Sequence, residues 1–199
     1  MAKKEKVPPR ILTLNPSLLD VETVRKKYRF IVAFDPSLDG FGFSVLDCLN
    51  KKQPPRIAEM GSVSGRTPTW PKGTTYATKL ALIQAKIREL RAKYDPIFPI
   101  VFAEDGFVKF KNDVKALYRV RGVMEAELLG TDIEFLTPSE MKLFVAGHGH
   151  ADKGDVANVL ADELGIDVSV FDGNMDAADA TGFAYYGYKK YYLGVDRNV

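Results

Sequence analysis

The stretch RFIVAFDPSLDGFGFSVLD, residues 29–47, predicts two strands joined by a turn and decides the fold. The apolar run of residues 30–34 ends on Asp35, and Pro36 then fixes the turn because its ring removes a backbone donor. The alternation in GFGFSVLD predicts a partner strand. A carboxylate that closes a buried strand is costly unless cations or hydrogen bonds compensate it. Asp35 is therefore the first candidate functional residue, although an acid that caps a loop amide is the alternative.

The segments that follow continue the sheet and add a helix. RIAEMGSVSG, residues 56–65, can supply a third strand, and the Pro, Gly and Thr residues of GRTPTWPKGT predict a loop. Beyond the loop, apolar residues recur at spacings of three and four, which is typical of one helical face. The residues of this face are Tyr76, Leu80, Ile83, Ile87, Leu90 and Tyr94.

The second half of the chain alternates strands with helices. FPIVFAED, residues 98–105, is apolar and stops on acids, and DIEFLT, residues 132–137, is another short strand. Thr137 and Glu140 have the spacing of a capping box. Helices are predicted over 111–129, near 154–164 up to Gly165, and over about 175–191. The order predicts an α/β fold in which helices cover both faces of a mixed sheet.

Composition describes an ordinary globular chain. Its 199 residues are 46% hydrophobic and 27% charged, and the net charge of +2 does not by itself indicate a nucleic-acid partner. The single cysteine, Cys48, excludes an intrachain disulfide, fits a reducing compartment and is expected to be a buried apolar residue. The chain has no apolar run of membrane-spanning length and no signal core, so we expect a cytoplasmic protein.

The domain boundaries are expected at the two ends of the alternating pattern. Residues 1–28 form a basic N-terminal extension, residues 29–193 a single domain and residues 194–199 a C-terminal tail. The extension carries two groups of Lys and Arg residues. Either it is a solvated tail or it is an arm that touches a phosphate backbone.

Four acids can converge on one site. Asp35 and Glu104 each end an apolar strand, and Asp176 and Asp179 in GNMDAADATG lie on one helical face because they are three residues apart. Each acid alone could be an ordinary strand-end or helix-start residue. Four carboxylates in one place need counter-charge, which hard cations such as Mg²⁺ supply through oxygen ligands. The only histidines are His148 and His150, which excludes a histidine-rich zinc site.

Four motifs together resemble the RuvC-type Holliday-junction resolvases, members of the RNase H-like nuclease superfamily. The resemblance covers roughly residues 30–190. It comprises an acid followed by Pro in IVAFDPSLDGFGFSVLD, a strand-end Glu with an aromatic three residues later in FAEDGFVKFKNDVKALYRVRGV, the Gly-x-Gly-x-Ala-x-Lys spacing of GHGHADKGDV, and the acidic helix DAADA.

The resemblance implies an RNase H-like fold with a five-stranded mixed sheet whose first three strands are antiparallel. It also implies a two-metal site of Asp35, Glu104, Asp176 and Asp179, with two Mg²⁺ ions that Mn²⁺ can replace. Lys153 would meet the scissile phosphate or the neighbouring backbone. A homodimer whose interface involves the second helix would make paired nicks in a two-fold symmetric DNA junction.

Basic residues follow Glu104 closely. Lys111, Lys115 and Arg119 step by four and form one stripe on the second helix, with Lys109 and Arg121 nearby. A solvated helix face is the alternative to a DNA-backbone contact. The resemblance places Phe107 where relatives present an aromatic that stacks on opened bases, although a buried loop anchor is equally compatible with its position.

The leading hypothesis is therefore a Mg²⁺-dependent endonuclease that resolves four-way DNA junctions, of bacterial or bacteriophage origin. The alternatives are a broader branched-DNA or flap nuclease and a non-catalytic junction-binding protein. An actin-like phosphotransferase would need further Gly-rich loops and a longer chain. Asp39 departs from the basic or hydroxyl residues of relatives and could perturb the site. In the tail FAYYGYKKYYLG, Phe183 and part of the tyrosine set are expected to pack on the sheet.

Overall fold

A five-stranded mixed sheet forms the centre of this computed structural model, which describes residues 29–49, 53–64, 70–94, 100–105 and 111–195, without the side chains of residues 111–113. The strands lie in the order β3-β2-β1-β4-β5. The first three are antiparallel neighbours, and β4 and β5 continue the sheet parallel to β1. Their bounds are Phe30–Asp35, Gly42–Asp47, Arg56–Ser62, Ile100–Glu104 and Asp132–Leu136.

Two long helices cover one face of the sheet. Helix α1 spans Tyr76–Tyr94 and helix α2 spans Lys111–Glu127, two residues shorter than the sequence predicts. Their apolar residues, among them Ile87 and Met124, pack on the side chains of β1 and β4 that point to this face. Tyr76 departs from the predicted apolar face: it is 55% exposed, and its ring lies under the Arg119 guanidinium at 5.3 Å.

Three further helices cover the other face: α3 over Pro138–Ala146, α4 over Lys153–Leu164 and α5 over Met175–Tyr188. The predicted capping box begins α3, because the Glu140 amide donates to Thr137 Oγ1 at 3.2 Å and the Glu140 carboxylate accepts from the Thr137 amide at 2.8 Å. A short 3₁₀ turn, Val168–Phe171, separates α4 from α5 and has no counterpart in the sequence-based prediction.

Helix α5 packs directly on β1, β2 and β4, because its residues facing the sheet are small. Ala177, Ala178 and Ala180 are completely buried, as the sequence predicts. A Cβ on Gly182 would come within 2.6 Å of the Met141 sulfur, and one on Gly187 would overlap the Phe102 ring. Small residues therefore let the acidic helix lie close to the sheet.

The aromatic tail is more buried than predicted. Phe183 packs in the core as expected, but none of the tyrosines there is left exposed. A single turn of π-helix, Lys189–Leu193, follows α5 and buries the last two tyrosines. The buried tyrosines are Tyr185, Tyr186, Tyr188, Tyr191 and Tyr192. Burial there removes the aromatic rings from any nucleic-acid surface.

The predicted fold class is confirmed: a mixed sheet with an antiparallel first half and helices on both faces. Cys48 is buried, and burial raises the pKa of its thiol, so it behaves as the inert apolar residue that was expected. No helix in the described ranges combines the length and the apolar character needed to cross a membrane. The N-terminal extension, residues 1–28, lies outside the described residues.

Candidate active site

Two of the four predicted acids meet where neighbouring strands end. Phe34 pairs with Ala103 across the parallel β1–β4 ladder, which brings the next residues, Asp35 and Glu104, side by side. Burial raises the pKa of Asp35 well above its usual range, and the charge of Glu104 raises it further. Burial beside like charge therefore favours the protonated form of Asp35.

The other two acids come from the start of α5. Asp179 is only 8% exposed, and Asp176 lies one turn earlier on the same face. Burial raises the pKa of Asp176, and the charge of Asp179 adds to this while Lys153 opposes it. Burial likewise raises the pKa of Glu104, with a further contribution from Asp179. The four acids act electrostatically as one cluster, as the sequence predicts.

The turn between β1 and β2 has no side chains where it meets Asp176. A Cβ on Gly40 would overlap the Asp176 carboxylate, and a Cβ on Gly42 would overlap its main-chain carbonyl. Ser37 shapes this turn, because its hydroxyl accepts from the amides of Asp39 and Gly40 at 3.3 Å each. Gly42 therefore allows the close approach of α5, and Gly40 leaves room for the Asp176 carboxylate, roles that sequence analysis did not assign to them.

A buried hydroxyl pair fixes α5 to the sheet below the acids. Thr181 Oγ1 donates to the Ala177 carbonyl at 2.7 Å and is hydrogen-bonded to Ser44 Oγ of β2 at 3.0 Å. Both side chains are completely buried. Their positions in the sequence carry no signal of this contact, because it joins residues 137 positions apart.

Lys153 supplies positive charge beside the acids. It begins α4, whose N-terminus is capped by the reciprocal bonds of Asp152 and Asp155. Its Nζ lies 2.5 Å from Asp179 Oδ2. Burial alone would lower the pKa of Lys153, but the nearby Asp179 carboxylate outweighs burial and raises it. The predicted site lysine is therefore at the site and holds its proton.

Arg121 is a supporting residue that sequence analysis counted only among nearby basic residues. Its Nη2 donates to the Glu104 carbonyl at 3.0 Å and to Asp105 Oδ1 at 2.7 Å. Its guanidinium also stacks on the Phe135 ring at 4.7 Å. Arg121 therefore fixes the end of β4 from the α2 side. The only sign of this role in the sequence was a basic residue in the segment that follows a strand-end acid.

The predicted DNA-contacting residues are described only in part. Phe107 and Lys109 lie outside the described residues, as does the side chain of Lys111. Lys115 and Arg119 are exposed on α2, as a basic stripe requires.

Asp39 does not join the acidic cluster. Its carboxylate pairs with Lys79 of α1 at 2.5 Å and is 72% exposed.

The cluster has the oxygen donors that hard divalent cations prefer. Within the described ranges, no three acidic, histidine or cysteine side chains are already arranged as a metal-ligand set. In this arrangement the Lys153 ammonium contacts Asp179, and burial beside like charge favours the protonated form of Asp35. A cation would replace these compensating charges, and the carboxylates would turn toward it.

Comparisons with known proteins place this geometry in a family. No family model matches the chain. The chain is 31% identical to the crossover junction endodeoxyribonuclease RuvC of Clavibacter michiganensis over 159 residues, which cover 77% of this chain and 73% of that protein. It is 28% identical to the protein of the same name from Synechococcus sp. strain CC9311 over 160 residues, 79% of this chain and 97% of the relative.

Solved structures share the fold. T. thermophilus RuvC in complex with a Holliday junction substrate superposes with a TM-score of 0.68 at 19% identity, covering 84% of this chain and 97% of that one. The yeast mitochondrial Holliday junction resolvase Ydc2 gives a TM-score of 0.59 at 12% identity, covering 87% and 84%. The sheet order, the acids at the ends of β1 and β4, the acidic helix and the extended sequence identity lead to one assignment: the chain belongs to the RuvC family of crossover junction endodeoxyribonucleases.

Proposed function

We propose that this chain is an endonuclease that resolves four-way DNA junctions by paired phosphodiester nicks. One observation carries the proposal: Asp35, Glu104, Asp176 and Asp179 converge beside Lys153 in a member of the RuvC family. Its relatives are named as crossover junction endodeoxyribonucleases, and a structural neighbour holds a Holliday junction. The activity would serve DNA recombination and repair.

The donor set suits divalent cations, and Mg²⁺ is the ion we propose, with two per site and Mn²⁺ able to replace it. All four side chains offer carboxylate oxygens, and burial beside like charges raises the pKa of three of them, Asp35, Glu104 and Asp176. When bound, two such ions would activate a water molecule and stabilise the leaving oxygen of the phosphodiester. Asp35, Glu104, Asp176 and Asp179 would hold them.

The chain's own residues prepare this site in definite ways. Asp35 and Glu104 would bind a cation in their ionised forms, and Asp179 would exchange its contact with Lys153 for one with the cation. The Lys153 ammonium would then be available to a DNA phosphate. The lack of a side chain at Gly40 leaves room for the Asp176 carboxylate. Cations and DNA would therefore take over the neutralisation of charge that Lys153 and protonation provide without them.

The DNA backbone would be held by the basic side of α2. Lys115 and Arg119 are exposed there, and Arg119 is supported by the Tyr76 ring of α1. Such contacts position the substrate without reading its sequence. We propose that Lys109, Lys111 and Lys153 extend this surface and that Phe107 stacks on a base at the junction centre.

A symmetric homodimer is part of the proposal. A four-way junction has two-fold symmetry, and two paired nicks require two sites related by the same symmetry. On α2, Tyr118 is 67% exposed, which gives this helix an aromatic residue available for a partner. The mass of the free chain and of its junction complex, measured by light scattering, tests this part: a monomer in both would refute it.

A cleavage assay on a panel of DNAs tests the function. A labelled four-way junction, a flap and a linear duplex of the same arm sequences are incubated with the full chain, with and without Mg²⁺. The proposal predicts paired, Mg²⁺-dependent nicks in the junction and slower cutting of the other two. Equal cutting of the flap would favour a broader branched-DNA nuclease. A folded, junction-bound chain that cuts nothing would favour a non-catalytic binding protein.

A further inference from the structure

An ion pair beside the acidic site joins a largely buried lysine to an exposed carboxylate. Lys79 Nζ of α1 contacts Asp39 Oδ1 at 2.5 Å. The Lys79 side chain is only 13% exposed, whereas the Asp39 side chain is 72% exposed. The lysine is therefore held in place by the protein, and the carboxylate covers it from the solvent side.

Trp70 holds this lysine at a fixed point. The Lys79 ammonium lies 5.6 Å from the centre of the Trp70 ring, within the range of a cation–π contact. The indole Nε1 of Trp70 donates to the Leu38 carbonyl at 3.1 Å. Because Leu38 precedes Asp39 in the β1–β2 turn, the tryptophan joins the lysine and the turn in one unit.

The same turn borders the active site. Asp39 is followed by Gly40, which lies against the Asp176 carboxylate, and it comes four residues after Asp35. The turn therefore forms part of the rim of the acidic cluster. At that rim an exposed carboxylate repels phosphate, whereas a fixed ammonium attracts it.

We propose that Lys79 is a DNA-phosphate contact at the rim of the active site and that Asp39 is an internal competitor that occupies it when DNA is absent. The carboxylate of this pair is solvent-exposed, and ion pairs that water reaches are weak, so a phosphate backbone with its higher charge density can take the place of the carboxylate. Asp39 then weakens the binding of any DNA that fails to bring a phosphate to this point. This inference rests on the proposed action on DNA.

A double-mutant cycle tests the competition. Binding of a labelled four-way junction and of a linear duplex is measured by fluorescence anisotropy without divalent cations, between about 50 and 200 mM salt. The proteins are the full-length wild type, Asp39→Asn, Lys79→Met and the double variant. Asp162→Asn is the matched control, because it removes an exposed acid at the far end of α4 from Lys153. Thermal melting of each variant checks its folding.

The competition predicts that Asp39→Asn tightens junction binding roughly two- to five-fold, the strength of an exposed ion pair. Lys79→Met should weaken binding and reduce the slope of log affinity against log salt by about 0.9, the value for one phosphate. In the Lys79→Met background, Asp39→Asn should tighten binding less than it does with Lys79 present, because only the repulsion between Asp39 and phosphate is then removed, and Asp162→Asn should have the same small effect in both backgrounds. This loss of coupling is the result that distinguishes competition for Lys79 from a general change in charge.

Two kinds of failure can be told apart. If wild type binds the junction but Asp39→Asn tightens it equally with and without Lys79, the inference is overturned while the proposed function stands. Weaker binding by a folded Asp39→Asn variant would overturn it too, because it would show that the pair only supports the turn. If wild type binds neither DNA, the proposed function fails and the inference fails with it.

Discussion

Gly40→Ala should separate activity from stability. Gly40 has no requirement for a left-handed backbone, so the only obstacle to alanine is the Asp176 carboxylate that the new methyl group would overlap. A carboxylate is the free end of a flexible side chain and can turn away at little cost. Because Asp176 is one of the four acids of the site, that small movement should be expensive for catalysis.

Two other glycines provide reference values for the change in stability. At Gly42, a Cβ would overlap the main-chain carbonyl of Asp176, which cannot turn away without moving α5. Overpacking of this kind costs about 1 to 3 kcal/mol. At Gly122, inside α2, nothing obstructs a Cβ, and alanine should stabilise the helix by about 1 kcal/mol. Gly122→Ala is therefore the control for the substitution itself.

The expected results follow from these contacts. At about 2 to 4 °C per kcal/mol for a chain of this size, Gly42→Ala should melt about 2 to 12 °C lower than wild type. Gly40→Ala should stay within about 4 °C of wild type. Its cleavage should nevertheless fall about 100-fold, the cost of a misplacement of about 1 Å at a catalytic group. Single-turnover cleavage of the four-way junction with Mg²⁺ measures the rate, and thermal melting measures stability.

A Gly40→Ala variant that cleaves at the wild-type rate would contradict the placement of Asp176 in the active site. A Gly40→Ala variant that melts as low as Gly42→Ala would show that the turn, and not the carboxylate, absorbs the overlap. Junction binding by Gly40→Ala should remain near wild type, because the substitution adds no charge.

Three further predictions concern the support of the site. The pKa values of Asp35 and Glu104 are raised in the folded chain, so the stability they contribute is complete below about pH 4 and is lost as pH rises through the raised values. Urea unfolding in EDTA should show this decline, and Asp35→Asn should make it shallower; an identical slope would refute the raised pKa of Asp35. Arg121→Met should lower the free energy of unfolding by about 1.5 to 3 kcal/mol, because charge-assisted bonds to the Glu104 carbonyl and the Asp105 carboxylate are lost. An unchanged denaturant midpoint would show that Arg121 does not stabilise the end of β4. Thr181→Val should lower the free energy of unfolding by about 1 to 3 kcal/mol, because the buried Ser44 hydroxyl loses this hydrogen-bond partner. Adding Ser44→Ala should recover part of that loss, and additive losses in a double-mutant cycle would contradict the bond.

The fold was predictable because its signals are local. Apolar runs that end on Asp35 and Glu104, and the helical spacing of Ile83 and Ile87, each specify an element without reference to the rest of the chain. Tyr76 shows the limit of that approach, since helical spacing puts it on the apolar face although it is the first residue of α1 and is exposed.

The acids were predictable as a group, whereas their support was not. Parallel neighbouring strands bring Asp35 and Glu104 together, and helical periodicity brings Asp176 and Asp179 together. The contacts of Gly40 with Asp176 and of Arg121 with the Glu104 carbonyl join segments far apart in the chain. Such contacts depend on how elements pack, and one sequence contains no local pattern that reveals them.

Comparison of junction cleavage and junction binding by wild type and Asp35→Asn tests the central claim most directly. Both proteins are saturated with the same four-way junction, and nicking is followed after Mg²⁺ is added. The four-carboxylate site predicts that Asp35→Asn binds the junction with wild-type affinity and folds at least as stably, yet loses cleavage. Wild-type cleavage by the folded Asp35→Asn variant would contradict the claim.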